Sequence, residues 1–242
     1  MAAYFFGKGF FAPEDVRGAK ISRAERRAKY IKIYLDNGKM LLMHLRMTGR
    51  ILIGKDIPQR YLRFVLELDS GEKLVFADVR KFGTVKLSDK DKAKGLRELL
   101  KLGPEPFNLK TQEFVKLIGS KKRKIKQVLM DQTVIAGIGN IYADEALWMA
   151  KIHPLTLAAD IGNRKLAELF AAIKTVFKRA IKLRGTSSDD YVDTSGEKGG
   201  YFEKRYVYQR EGEPCPRCGT PIKRIKIGGR SAHFCPKEQI VE

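Results

Sequence analysis

Two glycines one residue apart, Gly137 and Gly139, stand between two segments of helical period, and this constrains the fold more than any other stretch of the chain. The segment from Lys126 to Gln132 carries Val128, Leu129 and Met130, and that from Tyr142 to Ala150 repeats small and apolar residues at Ala143, Ala146, Leu147 and Ala150. A Gly-Ile-Gly-Asn connection between helices has to be tight, and the second helix then opens with backbone N–H groups that lack partners and attract anions. Asn140 stands where a side chain caps that helix or offers its amide to a phosphate. Two readings are open from spacing alone: a helix–two-turn–helix clamp for a nucleic-acid backbone, or a glycine-containing helical hairpin that packs a core.

Charge bears on that choice. Lys and Arg number 48 against 28 Asp and Glu, a formal charge of +20 with an isoelectric point near 9.9. Such a chain suits a polyanionic partner, with affinity that falls steeply with salt. A ribosomal or other RNA-binding protein, or merely a basic surface, meets the same description. No apolar run approaches the ~18 residues of a membrane span. The apolar opening Met1 to Phe6 is too short for a secretion signal, so no membrane partner is expected and the expected location is cytoplasmic, on the nucleoid. All three cysteines lie beyond Pro214, which favours a local metal site over a disulfide framework.

The chain reads as α+β and multidomain. Up to about Ser88, short alternating runs at Tyr30–Leu35, Met40–Leu45, Leu62–Leu68 and Lys73–Ala77 are separated by the turns Asp36-Asn37-Gly38 and Asp69-Ser70-Gly71, which predicts an antiparallel β-sandwich. A polar stretch, Asp89 to Lys94, leads into helical periods at Thr111–Ile118, Lys126–Met130, Tyr142–Lys151 and Asn163–Leu183. Gly185 to Tyr206 is rich in Gly, Ser and Asp and reads as a mobile loop. The expected parts are a sandwich over 1–90, a helical domain over 91–206 that includes a loop at 186–206, and a cysteine ribbon over 207–242.

Five ordered blocks resemble the formamidopyrimidine-DNA glycosylase and endonuclease VIII family of base-excision repair enzymes, most closely its formamidopyrimidine branch. They are Arg26-Arg27-Ala28-Lys29-Tyr30, His44 to Gly49, Asp78 to Gly83, Gly103-Pro104-Glu105-Pro106 and Lys126 to Pro154, with the ribbon after them. The resemblance implies removal of oxidised purines from duplex DNA with strand cleavage at the abasic site, by a monomer. It implies that Met47, Arg80 and Phe82 fill the space of the flipped nucleotide, and that His44, Lys126, Asn140, Tyr208 and Arg230 hold phosphates. Lys122, in a basic run, is a plausible further contact. Lys29 matches the family's second catalytic group, and Arg230 also assists phosphate elimination. The loop 186–206 matches the one that closes over the lesion. Cys215, Cys218 and Cys235 match three zinc ligands, with Glu238 at the position of the fourth. Zinc accepts carboxylate as well as thiolate and imidazole. Coordination by Glu238, a site of three cysteines, His233 turned inward, and no metal at all therefore stay open.

The sequence departs from the family at its start. The family's nucleophile is an amino-terminal proline followed by glutamate, whereas the chain opens Met1-Ala2-Ala3-Tyr4, and Val16 already matches a point well inside the usual first domain. The sandwich is thus expected to be truncated, its exposed apolar face covered by Tyr4 to Phe11 if by anything. Either the start is internal to a longer product, or the nucleophile is lost and the protein binds damaged or abasic DNA without catalysis. Lys29 could then be a phosphate contact, or itself form a Schiff base. Tyr61 to Phe64 replaces a histidine-rich run of the family.

Overall fold

The computed structural model describes residues 2–5, 13–55, 61–91, 99, 101–187 and 192–241. Contacts gather these into two compact units, one of residues 1–100 with 183–202, the other of 101–182 with 203–242. Three parts in sequence order are expected; by contacts the loop after the last helix groups with the sandwich and the ribbon groups with the helices.

The first unit holds two four-stranded antiparallel sheets. One has β1 (Ala2–Phe5), β6 (Leu62–Glu67), β7 (Lys73–Asp78) and β5 (Gly49–Gly54) in that order; the other has β2 (Ile21–Arg27), β3 (Tyr30–Leu35), β4 (Lys39–His44) and β8 (Thr84–Asp89). Every second residue turns inward, as a pleated strand requires. Ile33 and Leu35, Leu41 and Met43, and Val85 come from one sheet; Ile51, Phe64 and Leu66, and Leu74 and Phe76 come from the other, in a single buried cluster. Strand β2 is the edge of its sheet and is exposed along almost its whole length. The proposed cover from Tyr4 to Phe11 lies mostly outside the described residues. Part of the 186–206 loop is described: Thr194 O accepts the Ile53 N–H at 2.8 Å, and Asp193 meets Arg184 at 3.0 Å.

The second unit is built on α1 (Thr111–Gly119), α2 (Ile125–Met130), α3 (Asn140–Met149) and α4 (Asn163–Lys182), each near its expected place. Phe114 of α1 stacks on Phe170 of α4 with centroids 4.4 Å apart. Between α2 and α3 the side chain of Gln132 holds the turn, donating to Met130 O and Ile138 O and accepting the Gly137 N–H. The Gly103-Pro104 block docks on this turn through Gly103 N–H to Gln132 O and Ala136 N–H to Pro104 O. Strands β9 (Lys223–Ile227) and β10 (Arg230–Phe234) form the ribbon hairpin. Among the described residues no helix is long and apolar enough to cross a membrane.

Candidate nucleic-acid interface and metal centre

On the sandwich unit, one buried carboxylate organises two loops. Asp78 closes β7, 2% exposed, and accepts hydrogen bonds from Thr48 Oγ1 (2.5 Å), the Arg80 N–H (3.2 Å) and the Gly83 N–H (2.7 Å). Gly83 can come this close only because it lacks a side chain: a Cβ there would lie 2.4 Å from the Phe76 ring and 3.1 Å from Asp78 Oδ2. Arg46 (φ 56°) and Lys81 (φ 61°) sit in the left-handed region, a cost that the surrounding bonds must offset. The result is that Met47 and Phe82 project into solvent, 63% and 60% exposed, with Arg80 Nη1 3.7 Å from Met47 Sδ. Large apolar side chains held outward on braced loops mark an interaction surface. Of the three residues expected to fill a gap in the duplex, Arg80 and Met47 thus meet, and Phe82 is exposed on the same Asp78-braced loop as Arg80.

His44 and Lys29 lie on the same unit. Lys29 occupies the β2–β3 turn, exposed, beside Ala28 at φ 53°. Tyr30, next to it, pairs across β3 and β4 with His44, the two rings edge-to-face at 4.6 Å. His44 Nδ1 accepts the Arg46 N–H at 3.0 Å, which leaves Nε2 as the protonated nitrogen. Burial, with the charges of Arg46 and Lys29 nearby, holds His44 down to about 4. It is a neutral hydrogen-bond donor at pH 7, not a cation.

On the helical unit, α3 begins at Asn140. Gly139 is the residue ahead of the helix and no side chain caps it, so Asn140 does not cap. Its Oδ1 is buried without a partner among the described residues, and a half-turn of the carboxamide puts an N–H donor at the same position. Lys122 is exposed in the segment leading into α2, and Arg230 is exposed at the hairpin tip, where Gly228 (φ 54°) and Gly229 (φ 75°) make the turn. Tyr208 is half-buried, its ring edge-to-face with His233 at 5.1 Å.

Lys126 does not occupy the place expected of it. It is 1% exposed, with Nζ 2.5 Å from both Asp144 Oδ1 and Ser231 O, so its ammonium is a buried crosslink and not a phosphate contact. Desolvation lowers its pKa, and Asp144 opposes that shift. Asp144 Oδ2 in turn accepts the His233 N–H at 2.9 Å. Beside it, Glu145 is fully buried and accepts three backbone N–H groups, from Tyr206, Val207 and Tyr208, at 2.8 to 3.0 Å. Burial pushes its pKa up while these bonds pull it down. Neither carboxylate was expected to carry structure. The signal available was an acidic pair inside the apolar part of a helix in a strongly basic chain.

The thiols of Cys215, Cys218 and Cys235 lie within 4.8 Å of one another, and Cys218 and Cys235 are 3.5 Å apart. Tetrahedral zinc with Zn–S bonds of about 2.3 Å sets sulfurs about 3.8 Å apart, so three donors fit the ion. Trp148 Nε1–H points at Cys215 Sγ at 3.4 Å, an outer-shell bond of the kind that tunes a thiolate ligand. Glu238, expected as a possible fourth ligand, is not in this cluster. Its Oε2 lies 2.8 Å from Lys151 Nζ and 3.9 Å from Arg217 Nη1, whose charges hold its pKa below the usual carboxylate range. His233 likewise turns to Asp144.

Residues 7–85 match the formamidopyrimidine-DNA glycosylase N-terminal domain, 102–192 the H2TH domain of that glycosylase, and 212–237 the zinc finger found in FPG and IleRS. The chain is 46% identical over 227 residues to the formamidopyrimidine-DNA glycosylase of Herpetosiphon aurantiacus, covering 92% of this chain and 82% of the relative. It is 44% identical over 233 residues to that of Pelotomaculum thermopropionicum, covering 95% and 84%. Among solved structures, the Lactococcus lactis Fpg in complex with DNA containing an abasic site superposes with a TM-score of 0.87 at 34% identity, over 94% of this chain and 85% of that one. The same organism's enzyme with Fapy-dG DNA gives 0.85 at 34% identity, with the same coverage.

Proposed function

Since the chain belongs to the formamidopyrimidine-DNA glycosylase family, we propose that it excises oxidised purines from duplex DNA and cleaves the strand at the abasic site left behind. The observation that carries this reading is the bracing by Asp78 of the two loops on which Met47, Arg80 and Phe82 stand exposed. An enzyme acting on a stacked base must draw the nucleotide out, and a filled gap lowers the cost of doing so. Phe82 and Met47 offer apolar surface to the neighbouring bases, and Arg80 offers hydrogen bonds to the base left unpaired.

Holding the extruded nucleotide calls for contacts to its phosphates. Asn140 supplies an amide at the first turn of α3, His44 a neutral Nε2–H, and Lys122 and Arg230 exposed charges, with Tyr208 a further hydrogen-bond partner. Lys29, at the β2–β3 turn and near His44, is the group proposed to assist at the opened sugar. The loop of 186–206 is proposed to cover the lesion. Zinc on Cys215, Cys218 and Cys235 supplies a structural crosslink that holds the ribbon and its Arg230 tip. The partner is duplex DNA carrying oxidised purines or abasic sites, and the place of work is the nucleoid, in the cytoplasm, as a monomer.

In this chemistry an amine of the protein attacks the sugar C1′ and displaces the base, and opening of the sugar ring at O4′ then gives the Schiff base; on a sugar that is already abasic the amine condenses at C1′ with loss of water. Borohydride reduces that imine to a stable amine and leaves a covalent protein–DNA adduct. Trapping with a duplex containing an abasic site is therefore the test, run beside Lys29→Ala. An adduct supports the enzyme, and its loss in the mutant makes Lys29 the attacking amine. Tight binding without any adduct overturns the catalytic reading in favour of a protein that recognises damaged DNA.

A further inference from the structure

We infer that zinc in the ribbon is bound by three thiolates and one exchangeable neutral donor, and that Glu238 serves as a charge anchor in place of the fourth ligand. The spacing Cys235-Pro236-Lys237-Glu238 puts a carboxylate at the position where a second Cys-x-x-Cys pair would close. The side chain goes elsewhere. Arg217 donates from Nη1 to Trp148 O at 2.7 Å and from Nη2 to Met149 O at 2.9 Å, covering the last carbonyls of α3, and its guanidinium lies 3.8 Å over the Trp148 ring. Cations are favoured at that end of a helix. Glu238 faces this cation and Lys151, and moving it to the metal would break its 2.8 Å ion pair with Lys151.

Charge favours the same assignment. Zinc with three thiolates already carries one net negative charge. A carboxylate would raise this to two, whereas water or imidazole adds none. The other donors nearby are committed: His233 to Asp144, and Gln239 through Oε1 to the Cys235 N–H and through Nε2 to Ile152 O. Thr220 Oγ1, 3.4 Å from Cys218 Sγ, partners the sulfur. Cys215 and Cys235 are buried, but Cys218 is partly exposed, so the coordination sphere opens to solvent on that side. Structural zinc sites are ordinarily closed by four protein ligands, and an open position is the property of sites that exchange a ligand. The ligand class is a small neutral nitrogen or oxygen donor.

Cobalt(II) in place of zinc, in the full chain, makes the coordination visible. We expect a thiolate-to-cobalt charge-transfer band, tetrahedral d–d bands that shift saturably on titration with imidazole, and no change in either on Glu238→Gln. Glu238→Cys should shift the d–d bands and abolish the imidazole response. The inference is overturned by a d–d shift in Glu238→Gln, by the absence of an imidazole response in the unmodified chain, by a response that survives Glu238→Cys, or by a missing charge-transfer band. Because the spectrum is read without DNA, none of these outcomes bears on the proposed glycosylase activity.

Discussion

Lys126 Nζ lies 2.5 Å from Asp144 Oδ1, and both side chains are 1% exposed. The pair joins α2 to α3, and through Ser231 O and the His233 N–H it fixes β10 just behind Arg230. A buried charge left alone is far more costly than the pair is favourable.

Lys126→Met should therefore destabilise the protein by about 3–5 kcal/mol, the usual cost of stranding a buried charge. The double variant Lys126→Met with Asp144→Leu should recover part of that loss, with the His233 N–H still lacking its acceptor. Urea unfolding of the single and double variants measures this; equal loss in both would remove the ion pair as the cause.

Phe82→Ala should leave stability within ~0.5 kcal/mol, because the ring is largely solvent-exposed. Stacking on a base is worth about 1–3 kcal/mol, so excision should slow by roughly tenfold or more. The loss should fall more heavily on discrimination between damaged and intact duplex than on general affinity. Equal losses in single-turnover excision and in binding to undamaged DNA would end the gap-filling role.

Asn140→Ala should weaken binding to all duplexes alike, by about tenfold for a hydrogen bond to a charged phosphate. The side chain is neutral, so the slope of affinity against salt should stay as it is. Fluorescence anisotropy on lesion and intact duplexes at several salt concentrations reads both. Unchanged affinity would remove Asn140 from the phosphate clamp.

His44 gives a pH dependence. Its folded-state value of about 4 lies below the ordinary 6.5, so between these limits the unfolded chain binds a proton that the native chain does not. Its contribution to stability is full above 6.5 and falls away as pH drops toward 4. Melting temperature should decline more steeply over this window in the unmodified protein than in His44→Gln. Parallel slopes would mean that His44 is not the titrating group.

The sequence was most legible where apolar spacing is strong. β3 alternates, β4, β6 and β7 are short apolar runs bounded by turn residues, and α1 to α4 lie within about two residues of their expected bounds. β2 was missed because Ile-Ser-Arg-Ala-Glu-Arg-Arg has no apolar face; it is a strand through pairing with β3. At the candidate site, motif resemblance singled out Met47, Arg80 and Phe82, but not the Asp78 carboxylate that braces their loops. The resemblance makes Lys126 a phosphate contact, and nothing local shows that it finds Asp144 eighteen residues on and Ser231 105 residues on. Glu238 has ligand spacing, and its direction is decided by Lys151 and Arg217, which spacing does not see.

Neighbouring carboxylates on α3 bind different parts of the ribbon, Asp144 the His233 N–H near the end of β10 and Glu145 the backbone of residues 206–208. The ribbon is too short to build a core of its own and shares Trp148 of α3 in the cluster around Cys215 and Cys235. Hairpin and helix should consequently open as one cooperative unit in hydrogen exchange, with the amides of Val207 and His233 protected to a similar depth. Stripping the metal would then be felt as lost protection inside α3, well beyond the cysteines themselves.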